Sequence, residues 1–522
     1  MKILRLVDRF HWLILALAAP AMLFPTPQRS VAMLVVPVLW VVALVVSGAS
    51  VVRPLRPLRP LRQAQGKYPE LRPEPVEPLP ATPLNSIILL LAFMVLVSVV
   101  VTPDLDFSLP KVAGMVLGLG AFFAVARQSR SPRGLRWALL AYTIVGLGVA
   151  SGGVLGTNWT ATKITFLTPM NAVLDALRTR FGAHFSTSLA SLSSIPGGFN
   201  ANEVGGALLW VVPVTISYFL LTSLDCRLAI RNRRSSIINR RSLISALQSL
   251  FAVIATLFAL AVLILTQSRA AYIALALTAA VILFIALPRL GRWILATLLV
   301  LALAGAGFYV WRTGPSQIIQ RYGFSTLFNS DTASSGAASS GTSDPADSST
   351  ALTMEGRVEI WSRAIYGIED FPFTGMGMNM FRKIVPILYP LFLTSPDSDI
   401  AHAHNEFLQA ALDLGLPGLI AFAALYAVAF WMLWRVSSGA REQRSAGAEV
   451  HANTLSPRSG TPDTLPRSLA LGLAAALLAH MLYGMVDAVA LGAKPGLLFW
   501  MLLGLICGLF AQHGQLITEC WT

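Results

Sequence analysis

Charged residues make up 12% of this sequence, about half the ~25% expected of a soluble domain. That deficit argues against an ordinary soluble globular protein before any motif is read. Cysteine is almost as scarce. Cys226, Cys507 and Cys520 show no paired or metal-like spacing, so they support neither a disulfide framework nor a zinc site. No small-residue cleavage site follows the apolar run at residues 12–25, which therefore reads as a first membrane span and not as a cleaved leader. No internal repeat stands out, which weakens the idea of a transporter built from duplicated halves.

What the chain has in abundance is apolar length. Hydrophobic residues make up 55% of its 522 positions, and mean hydropathy is +0.66. Apolar runs long enough to cross a ~30 Å hydrocarbon core recur throughout. Candidate spans are residues 12–25, 31–48, 85–101, 111–127, 135–151, 203–223, 246–266, 270–287, 291–311, 417–434, 467–486 and 495–511. The expected fold class is an all-α polytopic membrane protein of about 12 transmembrane helices. Spans 1–2 would occupy residues 1–50, spans 3–9 residues 85–311, and spans 10–12 residues 417–522.

The net charge of +14 is distributed as the positive-inside rule requires, so nucleic acid is not needed to explain it. Segment 127–136 carries Arg127, Arg130, Arg133 and Arg136 with no acid, and segment 225–241 carries six arginines against Asp225. Residues 312–400, in contrast, hold six bases and nine acids. Both termini are expected in the cytoplasm, with a large loop at 312–416 on the other side of the cytoplasmic membrane. Loop 151–202 dissents mildly, with Lys163, Arg178 and Arg180 against Asp175. Residues 51–84 are too proline-rich for a helix and read as an extended cytoplasmic linker. Residues 330–352 are mostly Ser, Ala, Gly, Thr and Asp, and read as a disordered tract.

The residues that could carry chemistry cluster near the non-cytoplasmic boundary. In EGRVEIWSRAIYGIED the spacing of Val358, Trp361, Ile365 and Ile368 predicts one apolar helix stripe, with Glu359 and Arg363 as a solvated i,i+4 pair. Arg357 lies on the stripe's edge, where it needs an anion or a run of carbonyls; a helix-end tie to a loop is the plainer account. Gly375 and Gly377 suit a tight turn. In HAHNEFLQAALDLGLPG, Asn405 is a candidate N-cap, and Gly415 with Pro417 ends the short helix. His404 could bind an anion, accept a proton from a hydroxyl, or simply pack. His402 and His404 alone form a weak metal pair, so no metal is expected. Arg269 in TQSRAAY sits at a tight hairpin at the membrane edge, where it must snorkel or find a partner. Asp487 and His480 are the main charges in or just past a span. Two arginines and a histidine at a boundary suit a diphosphate and an acceptor hydroxyl.

These segments resemble the O-antigen ligase and polymerase family, which includes bacterial protein O-oligosaccharyltransferases. The likeness rests on SRAAY at 268–272, GRVEIW at 356–361, DFPFTGMGMNMF at 370–381 and HAHNEFLQAALDLGLPG at 402–418, in that order, with support from VVTPDLDFSLPK at 100–111 and GGFNANEVGGAL at 197–208. It is well matched over roughly residues 265–430. The resemblance implies a glycosyltransferase C-type architecture with a large periplasmic loop in the bacterial inner membrane. The donor would be an undecaprenyl-diphosphate-linked glycan, transferred with inversion and without a metal or other cofactor to a hydroxyl of a glycan, lipid or protein acceptor. By motif, Arg269 and Arg357 would hold the diphosphate, and His404 would engage the acceptor or the departing diphosphate. The proline-rich linker and the 330–352 tract depart from the family pattern without touching these motifs. Two other readings compete: a lipid-linked glycan flippase, which would place charges at the bilayer midplane, and a peptidoglycan-polymerising glycosyltransferase, which would show a catalytic acid in the large loop.

Overall fold

The computed structural model describes residues 2–23, 26, 28–46, 82–157, 176, 200–231, 240–313, 354–393, 400–453 and 464–520. Residues 51–81 of the proline-rich segment, the 330–352 tract, Lys163, Arg178 and Arg180 lie outside them. Among the described residues every regular element is helical. The elements are α1 (Lys2–Arg9), α2 (His11–Leu23), a 3-10 turn at Arg29–Leu34, α3 (Val35–Val46), α4 (Asn85–Val101), α5 (Leu105–Gln128), α6 (Pro132–Gly156), α7 (Ala201–Arg231), α8 (Arg240–Leu265), α9 (Arg269–Ala286) and α10 (Arg289–Thr313). Then follow α11 (Met354–Asp370), α12 (Phe381–Leu388), α13 (Glu406–Asn453), α14 (Thr464–Gly484), a 3-10 turn at Lys494–Gly496 and α15 (Leu497–Cys520).

Each apolar segment singled out in the sequence overlaps a helix. Among the described residues, seven helices are long and apolar enough to cross a membrane, or eight if the pair α1–α2, bent by 68°, is one span. Three shorter apolar stretches, at Arg29–Ala43, Asn85–Val101 and Arg269–Ile285, fall below that length. The protein is thus a multi-pass membrane protein, and twelve crossings is the expectation from sequence.

Helix α7 is the central post. It packs against α8, α14 and α6 and is enclosed along most of its apolar length, whereas α8 leaves most of its own exposed. Backbone carbonyls of α7 take hydrogen bonds from its neighbours. The Tyr142 hydroxyl on α6 donates to Trp210 O (3.0 Å), and the Tyr483 hydroxyl on α14 donates to Asn202 O (2.7 Å). The apolar side chains left exposed on α4 and α8, such as Leu89, Phe93, Leu250 and Leu257, form faces suited to lipid.

One end of this bundle gathers the segments that matter below. The loop before α12 is bonded to α4 and α5: Met378 N–H donates to Ser98 Oγ, and Ser108 Oγ–H donates to Met378 O, both at 2.7 Å. The connection between α14 and α15 drops against α5. Gly492 has φ +76°, and a Cβ there would lie 2.0 Å from the Lys111 carbonyl oxygen. A side chain at this position meets both left-handed strain, about 1–2 kcal/mol, and rigid helix backbone. Gly492→Ala should therefore lower the melting temperature and folded yield of the purified protein. Gly148→Ala, in open space on α6, should leave both unchanged or slightly raised. Thermal unfolding of both variants in detergent checks the contrast.

Candidate functional site

His404 is fixed by a short sequence of local constraints. Asn405 caps α13, as expected: its Oδ1 accepts from Phe407 N–H (3.0 Å) and Leu408 N–H (3.1 Å), while its Nδ2 donates to Met485 O (3.0 Å). The cap ties the start of α13 to the end of α14. Gln409, one turn into the helix, reaches back to accept from Ala403 N–H (2.9 Å) and forward to donate to Asp413 Oδ1 (2.9 Å). Between these anchors the backbone turns sharply, and His404 takes φ +47°. Its N–H donates to His402 Nδ1 (3.2 Å).

The turn brings His404 Nδ1 to 3.2 Å from Asp487 Oδ1. Asp487 is buried in the α14–α15 connection, and the same oxygen accepts from Ala488 N–H (2.9 Å). Burial alone would raise the Asp487 carboxyl. The hydrogen bond from His404 and the positive charge of neighbouring groups, Arg357 among them, outweigh it and hold the group below the ordinary carboxylate value. Burial, reinforced by the charge of His404, lowers His402 to about 3. Asp487 is thus an anion and His402 a neutral ring at neutral pH. In the sequence Asp487 stands out only as a charge near a span. Its pairing with a histidine 83 positions earlier leaves no local signature.

Arg357 lies on the inner face of α11 and is 6% exposed. Its charge acts on Asp487 and on Tyr483, which places it at the same end of the bundle. The buried face of α11 overlaps the predicted stripe only in part: Ile368 packs inward and Trp361 is half-buried. Arg357, Ile360, Ala364 and Gly367 are covered, while Val358 and Ile365 are exposed. Small residues decide this: a Cβ on Gly367 would lie 2.1 Å from the Met376 methyl group and 2.9 Å from Leu412 Cδ2, so the helix packs on its narrow side. Glu359 and Arg363 do pair (3.6 Å), but not in solvent. Glu359 is buried and accepts from the backbone N–H groups of Phe392 and Leu393.

Arg269 begins α9. The turn before it, Thr266–Gln267–Ser268, is buried, with Gln267 at φ +51° and Ser268 capping α9 through Ala271 N–H (3.4 Å). This turn packs on Gly205 of α7, whose neighbour Gly206 faces the Tyr483 ring. Arg269 Nη1 and Arg357 Nε are both buried with no hydrogen-bond partner among the described residues. A buried guanidinium donor left unsatisfied is costly unless an anion or water meets it.

Beneath His404, Glu406 Oε2 lies 3.0 Å from His480 Nε2, close enough for charge pairing but off the angle of a hydrogen bond. His480 stacks on Trp210 (ring centres 3.7 Å apart), and its Nδ1 lies 3.1 Å from Gly206 O. Gly375 and Gly377 adopt the expected positive φ, +68° and +100°, in the loop joining α11 to α12.

His402, His404 and Asp487 also form a triad of potential metal ligands, with their ligating atoms within 4.8 Å of one another. In this geometry His404 Nδ1 faces Asp487, and His402 Nδ1 already accepts from His404 N–H. What remains available is the second nitrogen of each ring. The arrangement supports a histidine oriented by a carboxylate more directly than a closed coordination sphere.

The profile of a family described as O-antigen ligase matches residues 254–423. The match spans Arg269, Arg357 and His404 and ends before Asp487. No curated protein matches the chain.

The titration of this cluster has a stability consequence. The folded His402 holds its proton less tightly than the ~6.5 of a free histidine, so the unfolded chain binds more protons between about pH 6.5 and about 3. Stability should be fully present above pH 6.5 and fall as pH drops through that window. Melting curves in detergent across pH 7.5 to 4.5, for wild type against His402→Gln, should show a shallower decline in the variant.

Proposed function

We propose, from the match of residues 254–423 to the O-antigen ligase family profile, that this chain transfers a glycan from an undecaprenyl-diphosphate carrier to an acceptor hydroxyl at the periplasmic face of the bacterial inner membrane. That match supports the coarser reading, a ligase- or polymerase-type membrane glycosyltransferase. The observation that carries the finer one is the pair of buried, unsatisfied guanidinium donors on Arg269 and Arg357, at the bundle end that also holds His404 and Asp487.

In this reading Arg269 and Arg357 bind the two phosphates. The acceptor oxygen attacks the anomeric carbon from the face opposite the diphosphate. The bond from that carbon to the phosphate oxygen breaks, and its electron pair leaves on undecaprenyl diphosphate, whose added charge the arginines stabilise. The hydroxyl proton passes to His404 Nε2. Asp487, accepting from Nδ1–H, selects the tautomer with a free Nε2 and stabilises the imidazolium that forms. The configuration inverts, and no step requires a divalent ion. Both termini would be cytoplasmic, and residues 312–416 periplasmic.

The test is reconstitution with lipid-linked glycan and membrane acceptors from the host, following undecaprenyl diphosphate release. Arg269→Ala, Arg357→Ala and His404→Ala should each reduce release by about 10²–10³-fold, with wild-type release unchanged in EDTA. Loss in EDTA that one divalent cation restores would instead assign His402, His404 and Asp487 as its ligands. Movement of intact donor across the bilayer without release would favour a flippase. Asp487→Asn should lower kcat at least as strongly as either arginine variant while leaving donor KM nearly unchanged, because it disturbs the histidine and not the phosphate contacts.

A further inference from the structure

The polar and apolar parts of residues 389–393 are arranged opposite to the usual surface pattern. Their polar atoms turn inward onto α11. Phe392 N–H donates to Glu359 Oε1 (2.5 Å), Leu393 N–H to Glu359 Oε2 (3.1 Å), Arg363 Nε to Pro390 O (2.9 Å), and the Tyr389 hydroxyl to Asp370. Leu391 packs inward, but the other apolar side chains here turn outward. Phe392 is 82% exposed, Ile387 at the end of α12 is 77% exposed, and Leu388 and Leu393 are about half exposed. The same holds on the outer side of α11, where Val358 and Ile365 stand open. A soluble loop gains nothing from showing such side chains to water while using a buried carboxylate to satisfy its backbone.

The position of this surface relative to the spans explains it. The start of α12 is fixed to the α4–α5 junction: Lys383 pairs with Asp104, and Asn379 Nδ2 donates to Phe107 O (2.9 Å). That junction is where one apolar helix ends and the next begins. The far end of α11 is equally anchored. Phe371 and Phe373 follow it, and Leu416 N–H donates to Pro372 O (2.7 Å) at the break in α13. Immediately below the break, Leu416 and Ile420 face outward on a candidate membrane span. Phe373, 74% exposed, therefore adjoins a lipid-facing surface. Near its other end, Arg357 acts on Asp487, just past the last turn of α14. Both ends of α11 thus sit where spans terminate, so the helix runs along the membrane boundary and does not rise away from it.

We propose that α11, α12 and the strap 389–393 form an interfacial platform seated in the adjoining phospholipid leaflet, with Val358, Ile365, Ile387, Leu388, Phe392 and Leu393 among the acyl chains and glycerol groups. Backbone groups at that depth must be satisfied by the protein itself, which is the task of Glu359 and Arg363. Tyr389 begins the strap and Tyr366 stands beside it, where aromatic side chains with a polar tip are favoured at a membrane interface. The platform sets the depth of Arg357, carried on the opposite face of α11, relative to the lipid headgroups. This inference needs the chain to be a membrane protein and does not depend on glycosyl transfer.

The experiment uses the full chain with Cys226, Cys507 and Cys520 replaced, spin-labelled at a single new cysteine and reconstituted in phosphatidylcholine vesicles. Collision with oxygen reports the acyl region, and collision with a water-soluble nickel chelate reports solvent. Ile387→Cys and Phe392→Cys should match Ile420→Cys on the span. Their oxygen-to-nickel ratio should exceed several-fold that of Arg133→Cys, at the exposed start of α6. Ratios equal to that at Arg133 would overturn the proposal by placing the platform in water. Protection from both reagents would overturn it by showing a protein cover, such as a second copy of the chain. Val358→Cys and Ile365→Cys repeat the measurement from α11 if a strap variant fails to fold.

Discussion

Met378 is held at both of its backbone polar groups by helices more than 250 residues earlier in the chain, through Ser98 and Ser108. The candidate site depends on that attachment. It fixes the loop between α11 and α12, and Asn379 N–H in that loop meets Asp413 Oδ1 (3.2 Å). Asp413 holds Gln409, and Gln409 holds Ala403, the residue before His404. A continuous series of hydrogen bonds thus runs from the α4–α5 junction to the catalytic candidate. At the edge of a hydrocarbon region water cannot substitute for such bonds freely, so each link is both a structural necessity and a positional constraint.

Much of the site was legible locally. The Asn405 cap, the positive-φ glycines at 375 and 377, the break at Gly415 and the turn before Arg269 all depend on a few adjacent residues, and these were read from the sequence. What was not legible depends on partners. Asp487 gains meaning only when the ends of α13 and α14 are brought together. The inner face of α11 was misassigned because periodicity finds apolar stripes but does not say what covers them. Near a membrane, lipid covers an apolar stripe as well as protein does, which frees the smaller Ala364–Gly367 side for close helix packing. Glu359 and Arg363 misled for a related reason: an i,i+4 pair looks solvated until a strap of chain is laid across it.

The surroundings of His404 show how charge is managed without water. His402 stays neutral because burial and its neighbour's charge both oppose a second proton. Asp487 stays ionised because the hydrogen bond from His404 and the nearby positive charge of Arg357 outweigh the cost of its burial. Removing either would change the other's balance, so effects of substitutions at 402, 404 and 487 should be coupled and not additive. Glu406 and His480 repeat the theme one layer deeper. Either an ion pair or a neutral pair leaves the layer without net charge, which is what a buried position between α13, α14 and α7 requires.

Two kinds of buried polar group therefore share this end of the bundle. Gln409, Asp413 and Glu359 make hydrogen bonds to neighbouring chain, and their contribution lies within the fold. Arg269 and Arg357 each retain a buried donor that the described chain does not meet. Folding alone gives no reason to keep such donors, since an apolar residue of similar size would remove the desolvation cost. Their retention is rational if the missing partner arrives from outside and is strongly anionic. A headgroup at the membrane boundary satisfies that condition. On the proposed reading the surrounding hydrogen-bond network has a second use beyond stability: it would keep neighbouring side chains committed elsewhere and the two arginines available to an anion.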